Sequence, residues 1–403
     1  MKVLQIIHGF PPYYMAGSEV YTYNLSIELS KYIPVHVFTR IENPFEPSYY
    51  SSDNLEDNIN VRRVNKPERD YVLKDKYLDP ALDKVFREYL QVIRPDIVHI
   101  GHLSHLSTNI VDIVKKEFGL PIVFTIHDYW LYCLIGQLIT PENELCHGPS
   151  IGRCLKCAQR KFKDTCNEED IRVYRQHMER VIDSIDLFLA PSQFVLSFFK
   201  RMGVPEDKLK YSKYGFNKNH VAFRKRIYAN DSHVQFGYTG RVIPVKGIHI
   251  LINAFRQISS DQTGLSIYGN TNGYDRHLKS NVDDRIVFHG GYNNNEIDAI
   301  LRNIDVLVCP SIWYENSPLV IQEAFLAGIP VITSDIGGMS ELVQNAKNGF
   351  TFKTASVDSL RDIMAKIVKE PTILNTLHPN PDSVRSIEDD AKGILDFYRE
   401  LIM

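Results

Sequence analysis

The sequence predicts an α/β protein built from two Rossmann-like domains facing across a cleft. Three observations carry that prediction. Short apolar runs of strand length alternate with stretches of helical spacing, the alternation starts afresh near Val234, and a polar stretch separates the two series. A length of 403 residues also suits two domains better than one core.

In the first series Val3 to Ile7, Val35 to Thr39, Ile97 to Ile100, Ile122 to Ile126 and Leu187 to Ala190 read as buried strands. Ser18 to Ser30 and Leu78 to Val92 read as helices between them. Near-continuous apolar strands separated by helices are the pattern of a parallel sheet covered on both faces. In the second series the strands are Val234 to Thr239, Leu265 to Tyr268, Ile286 to Phe288, Val306 to Cys309 and Pro330 to Thr333, with a helix at Ile248 to Ile258. Residues 212–233 are polar and read as the linker. The last segment, with Ile387, Ala391, Ile394, Leu395, Tyr398 and Leu401 at helical spacing, reads as a helix crossing back to the first domain. The expected domains are therefore 1–212 with 385–403, and 213–384.

Composition narrows the function. Hydrophobic residues at 44% and charged residues at 24% describe a globular chain, and a formal net charge of −3 excludes the basic bias of a nucleic-acid binder. Met1-Lys2 leads straight into a short apolar run, His8-Gly9 and two prolines, so no secretory signal is read there. No apolar run has the length of a membrane span. The expected location is the cytoplasm, with peripheral contact at the inner face of the membrane as the alternative to full solubility.

The chemistry-bearing residues of the second series sit after its strands. Gly240-Arg241 closes one strand and Lys246-Gly247 opens the next helix, so a guanidinium fork and an ammonium stand five positions apart, fit for two phosphates. After Cys309-Pro310-Ser311 comes Glu315-Asn316-Ser317-Pro318-Leu319, with Glu323 beyond. Pro318 suits the first turn of a helix and Ser317 its N-cap, which would aim open N–H groups and the positive dipole end at a diphosphate. Glu323, further along that helix, could accept hydrogen bonds from ribose hydroxyls.

The string Gly240-Arg241, Lys246-Gly247, Pro310-Ser311, Glu315 to Leu319, Glu323-Ala324, Gly328 to Ile332, Gly337-Gly338 and Glu341 to Val343 closely resembles glycosyltransferase family 4. That family is retaining, has the two-domain GT-B architecture and carries an E-x7-E pair, here Glu315 and Glu323. The resemblance implies that Arg241 and Lys246 hold the diphosphate, Glu323 the ribose and Glu315 the transferred sugar, with the backbone from Asn316 to Leu319 around the distal phosphate. It implies a nucleotide-diphosphate sugar as donor, a saccharide or lipid-linked acceptor, and a setting in cell-surface polysaccharide or glycolipid synthesis. It also implies that Gly17, in Ala16-Gly17-Ser18-Glu19, lets backbone N–H groups approach the donor phosphate, where a plain turn glycine is the alternative. His127, after the strand ending at Ile126, matches a family histidine that contacts the donor sugar near its reactive carbon. Asp128 either binds the acceptor or caps the following turn. No D-x-D motif is present, so catalysis is expected to need no metal cofactor.

A cysteine-rich insertion is expected at about 130–168. Cys133, Cys146, Cys154 and Cys157 follow C-x12-C-x7-C-x2-C, spacing that suits a structural zinc ion, with an iron–sulfur cluster as the rarer option and unrelated thiols as the plain one. Cys166 has no assigned role. Arg153, Lys156, Arg160, Lys161 and Lys163 make the stretch basic: a solvated face, or a contact for anionic lipid. The rival functions are a nucleotide-sugar epimerase of the same fold and a non-catalytic sugar-nucleotide-binding partner subunit.

Overall fold

The computed structural model describes residues 1–66, 72–162, 166–271, 273–274, 278 and 283–403. Its chain divides into two compact units, one of residues 1–216 with 385–403 and one of residues 217–384.

The first unit is an eight-stranded sheet of β1 (Val3–Ile6), β2 (Val35–Ile41), β3 (Ser51–Glu56), β4 (Ile59–Asn65), β5 (Ile97–Ile100), β6 (Ile122–Thr125), β7 (Leu187–Ala190) and β8 (Leu209–Tyr211). Its order is β3-β4-β2-β1-β5-β6-β7-β8, parallel except where β3 meets β4. Strands β1, β5, β6 and β7 are buried at every position, which is why they read as unbroken apolar runs. Helices α1 (Gly17–Ser30), α2 (Pro80–Ile93), α3 (Ile151–Phe162), α4 (Glu168–Asp183) and α5 (Gln193–Arg201) follow in chain order. Helix α2 begins where Asp79 accepts from the N–H groups of Ala81 and Leu82 and Pro80 takes the first helical position. It ends at Arg94 in the left-handed region, φ 44°.

The terminal helix (Ile387–Ile402) packs on α1. Tyr21 donates to Asp390 at 2.9 Å, and Tyr398 inserts beneath β1 and β5, where its hydroxyl lies 3.1 Å from Gln5 and 2.6 Å from His99.

The second unit is a fully parallel sheet of β9 (Val234–Thr239), β10 (Thr263–Tyr268), β11 (Ile286–Gly290), β12 (Val306–Cys309), β13 (Val331–Ser334) and β14 (Gly349–Phe352), in the order β11-β10-β9-β12-β13-β14. Helices α6 (Ile248–Phe255), α7 (Leu319–Ala327) and α8 (Val357–Lys369) cover it. In both sheets the strand order reverses once, beside β1 in the first and beside β9 in the second. Open parallel sheets bind ligands beyond the carboxyl ends of their strands at that reversal.

Strands β3, β4, β8 and β14 lie outside the runs that apolar pattern marks. Strand β3 is a polar edge, exposed over much of its length, and β8 is three residues long. Edge strands need not be apolar, so periodicity passes over them.

Candidate active site

In the second unit the predicted donor segments leave the sheet from β9 and β12, the adjacent pair where the order reverses. Arg241 follows β9 and is exposed, and its guanidinium makes no ion pair among the described residues. Its carbonyl is fixed instead, accepting from the Tyr238 hydroxyl at 2.6 Å. Lys246 ends a short turn, Pro244–Lys246, and Gly247 follows at φ 71°. A Cβ on Gly247 would fall 1.8 Å from the Pro310 carbonyl oxygen, so only glycine lets the two loops close on each other.

That closeness joins two residues whose expected roles were separate. Lys246 Nζ lies 2.5 Å from Glu315 Oε1, and the same oxygen accepts from Ser311 Oγ at 2.7 Å and Trp313 Nε1 at 2.9 Å. The backbone of Glu315 is held as well: Gly338 N–H donates to its carbonyl at 2.7 Å, and a Cβ on Gly337 would meet that oxygen at 2.8 Å. Glu315, Asn316 and Ser317 are all buried. Glu315 is therefore a buried, fixed carboxylate and not a surface acid.

Ser317 is not the N-cap of the following helix. Helix α7 starts at Leu319 with Pro318 in the cap position (φ −60°, ψ 122°), and no side chain caps it. Proline has no N–H to satisfy, and without a capping oxygen the helix start keeps its positive end open to an anion. Glu323 lies on α7, where burial pushes its carboxyl up to about 7.

In the first unit the reversal falls between β1 and β5, and histidines follow both strands. His8 Nε2 lies 3.3 Å from Glu19 Oε1. His102 Nδ1 accepts the N–H of Ser104 at 2.9 Å, so in the neutral ring Nε2 carries the proton and donates to Asp128 Oδ2 at 3.1 Å. The His8 and His102 rings meet edge to face, centroids 4.5 Å apart. Burial opposes the charge of Glu19, yet hydrogen bonds from His8 and Ser18 hold its carboxyl at about 2. Burial likewise opposes Asp128, and His102 with the Trp130 N–H brings it below the usual carboxylate range.

His127, after β6, contacts the Tyr214 hydroxyl through Nδ1 at 2.6 Å, and its Nε2 is buried with no hydrogen-bond partner among the described residues. Burial, reinforced by the charge of His102, lowers its pKa to about 3, so it is a neutral hydrogen-bonding ring across the physiological range. Asp128 Oδ1 accepts from Trp130 N–H at 2.8 Å, two residues on, and thus caps the turn. Gly17 opens α1, whose start has no side-chain cap.

The expected zinc set is not supported. Cys133, Cys146, Cys154 and Cys157 line the wall of one pocket of about 220 Å³, yet among the described residues no three histidine, cysteine or acidic groups are gathered to hold a metal ion. Cys146 donates its thiol to the Gly148 carbonyl, and burial pushes the Cys157 thiol up to about 12. Nor does the stretch stand apart as a module: α3 packs on α4 within the first unit, and Lys76 donates to the Leu134 carbonyl. Cys166 is buried beside α3, its carbonyl accepting from Gln159. On α3 the residues Arg153, Lys156, Arg160 and Lys161 are exposed, with Arg160 paired to Glu142 at 3.2 Å; Lys163 lies outside the described residues. Among the described residues no helix is long and apolar enough to cross a membrane.

Sequence reasoning missed Ser311 and Trp313 around Glu315, and His8, Glu19, His102 and Tyr214 around His127. For His8 and His102 a signal existed, since each follows an apolar strand run.

Two family models match the chain, one for each unit. Residues 15–215 match Glycosyltransferase Family 4, and residues 222–380 match Glycosyl transferases group 1. An uncharacterised glycosyltransferase of Methanocaldococcus jannaschii is 26% identical over 58% of this chain and 63% of its own length. An Escherichia coli UDP-Gal:alpha-D-GlcNAc-diphosphoundecaprenol alpha-1,3-galactosyltransferase is 34% identical over 27% of each chain. The chain thus spans under two thirds of the length of these curated relatives. Among solved structures, Anabaena HepE in complex with UDP and glucose is similar with a TM-score of 0.70 at 19% identity, covering 100% of both chains. Sucrose-phosphate synthase of Thermosynechococcus elongatus reaches a TM-score of 0.74 at 17% identity, covering 99% of this chain and 98% of that one. These likenesses identify the fold as GT-B.

Proposed function

We infer that this chain, similar to glycosyltransferase family 4 and of GT-B fold, transfers a sugar from a nucleotide-diphosphate donor to a saccharide or lipid-linked acceptor, with retention of configuration. The observation that carries the reading is the Lys246–Glu315 pair, set with Arg241 and the uncapped start of α7 at the strand-order reversal of the second sheet. Sugar transfer passes through an oxocarbenium-like state while negative charge builds on the departing diphosphate. Arg241, Lys246 and the helix start supply positive potential for that charge. Glu315 accepts hydroxyls of the transferred sugar, and Glu323 those of the ribose.

In the first unit His127 offers a neutral nitrogen to the donor sugar, and the start of α1 at Gly17 a second set of N–H groups to phosphate. Among the residues assigned to the site none is an obvious covalent nucleophile, which favours front-face attack by the acceptor hydroxyl, and the chain's own cations are read as answering the leaving-group charge. The Escherichia coli relative, named for a diphosphoundecaprenol-linked acceptor, supports assembly of surface polysaccharide or glycolipid as the setting.

Thermal-shift screening with UDP-, GDP-, ADP- and TDP-sugars, followed by donor hydrolysis with the stabilising one, tests this. A bound donor raises Tm by mass action. If no nucleotide sugar stabilises the protein or is turned over, the transferase reading falls; conversion of the donor to its epimer would favour the isomerase instead.

A further inference from the structure

Glu315 has an uneven set of partners. Its Oε1 takes three hydrogen bonds, from Lys246, Ser311 and Trp313, while Oε2 accepts none from the described residues. Trp313 acts on both members of the ion pair: its indole N–H holds the carboxylate, and the Lys246 ammonium lies over its ring, 5.6 Å from the centroid. Its carbonyl also accepts the N–H of Glu315 at 2.9 Å, which ties the two residues into one tight turn. Trp313 and Ser311 are buried, so neither bond is traded with water.

A carboxylate can rotate about its last bond and present either oxygen. With three donors on one oxygen that rotation is closed, and the second oxygen faces one way. A cation beside an aromatic face is likewise held in direction as well as in charge. We propose that Trp313 is a positioning residue that presets the Lys246–Glu315 pair, keeping Glu315 Oε2 for a hydroxyl of the donor sugar. Ser311 assists through the same oxygen. The proposal rests on the donor reading above, and adds to it which part of the donor this tryptophan governs: the sugar, not the nucleotide.

Trp313→Phe keeps the ring and removes the N–H. Its first readout needs no donor: acylation of the intact protein with an amine-reactive reagent, followed by peptide mass spectrometry. The Lys246 peptide should label several-fold faster than in the parent, with other lysines unchanged and Tm within a few degrees. Equal labelling of Lys246 overturns the proposal. The second readout compares the affinity of UDP with UDP-glucose, and of ADP with ADP-glucose, in the parent and the variant. Trp313→Phe should weaken the nucleotide sugar that the parent binds by about tenfold, the scale of one hydrogen bond to a charged group. Binding of the matching nucleoside diphosphate should stay within about twofold, as expected when the lost bond faces the sugar alone. Equal weakening of both, or of neither, overturns the assignment to the sugar. Faster Lys246 labelling in a protein that binds no nucleotide sugar would sink the donor reading while leaving the preset pair standing. Ser311→Ala should shift both readouts the same way by a smaller factor; a change only in Tm would make it mere packing.

Discussion

The two sheets share a plan and differ in the chemistry they carry at it. Each reverses its strand order once, and each gathers polar side chains beyond the strand ends at that reversal. In the second unit the gathering is ionic, with an exposed Arg241, the Lys246–Glu315 pair and an uncapped helix start. In the first it is made of imidazoles: His8 on Glu19, His102 on Asp128, and His127 held neutral by burial. The difference fits two demands of the sugar transfer proposed above. A departing diphosphate needs positive potential already in place, whereas a sugar ring and an incoming hydroxyl need directional hydrogen-bonding groups.

If that division holds, the largest effect of any substitution should come from the ionic side. Lys246→Ala removes the cation proposed to answer the leaving-group charge and also leaves Glu315 without its cationic partner. Donor turnover should fall by about 100- to 1,000-fold in kcat. An unchanged kcat/KM would dismiss the role assigned to Lys246. His127→Ala should cost less, about tenfold, because it deletes one neutral hydrogen bond. Its pH profile is the sharper test. With a pKa near 3 the imidazole does not titrate between pH 5 and 8, so the variant should keep the parent's profile shape in that range. A limb that disappears with His127 would contradict a neutral ring.

The contrast also explains what could be read from the chain. The ionic cluster comes from a few short segments, and Arg241, Lys246, Glu315 and Glu323 stand at spacings that mean something before any fold is known. The buried strands were legible for a similar reason, since unbroken apolar runs of four or five residues fit a parallel sheet. The imidazole cluster joins the ends of β1, β5 and β6 with Glu19 on α1, and only the strand order brings His8 and His102 within 4.5 Å. Trp313 was hidden differently: next to a glutamate motif it reads as one more apolar residue, and its N–H acquires a purpose only from the turn geometry. The cysteines show the reverse hazard. Their spacing has the form of a ligand set, and all four line one pocket, yet among the described residues no group of three is gathered to hold a metal ion.

Glu323 sets the next test, of intermediate size. Burial raises its carboxyl to about 7, so near neutrality the donor-free protein holds a mixture of acid and carboxylate. Ribose hydroxyls are better held by the carboxylate, so donor affinity should rise several-fold from pH 6 to pH 8. Glu323→Gln should flatten that rise, and Glu323→Ala should raise donor KM more than it lowers kcat. The sign for stability is opposite. The folded state binds this proton more tightly than the unfolded chain, so the stabilisation is full below the unfolded pKa and is lost as pH climbs through about 7. Calorimetry of the donor-free parent and Glu323→Gln should show the parent losing ground as pH rises. The reverse slope would mean that the carboxyl is not held protonated by burial.

The smallest expected effect decides between the two roles open to Asp128. One oxygen accepts the Trp130 N–H and the other the His102 Nε2–H, while Ser104 fixes the His102 tautomer by donating to Nδ1. Asp128→Asn keeps the size of the side chain but must set its NH2 group against one of those two donors. The expected cost is about 1 kcal/mol of stability, the low end of the penalty for a donor left without an acceptor, since the side chain is only half-buried. Because both carboxylate oxygens are committed to the protein, acceptor KM and kcat should stay within about twofold of the parent once the protein is folded, as befits a group that touches neither reactant. A selective rise in acceptor KM with Tm unchanged would instead make Asp128 an acceptor ligand, and the imidazole side would then carry charge to the reaction after all.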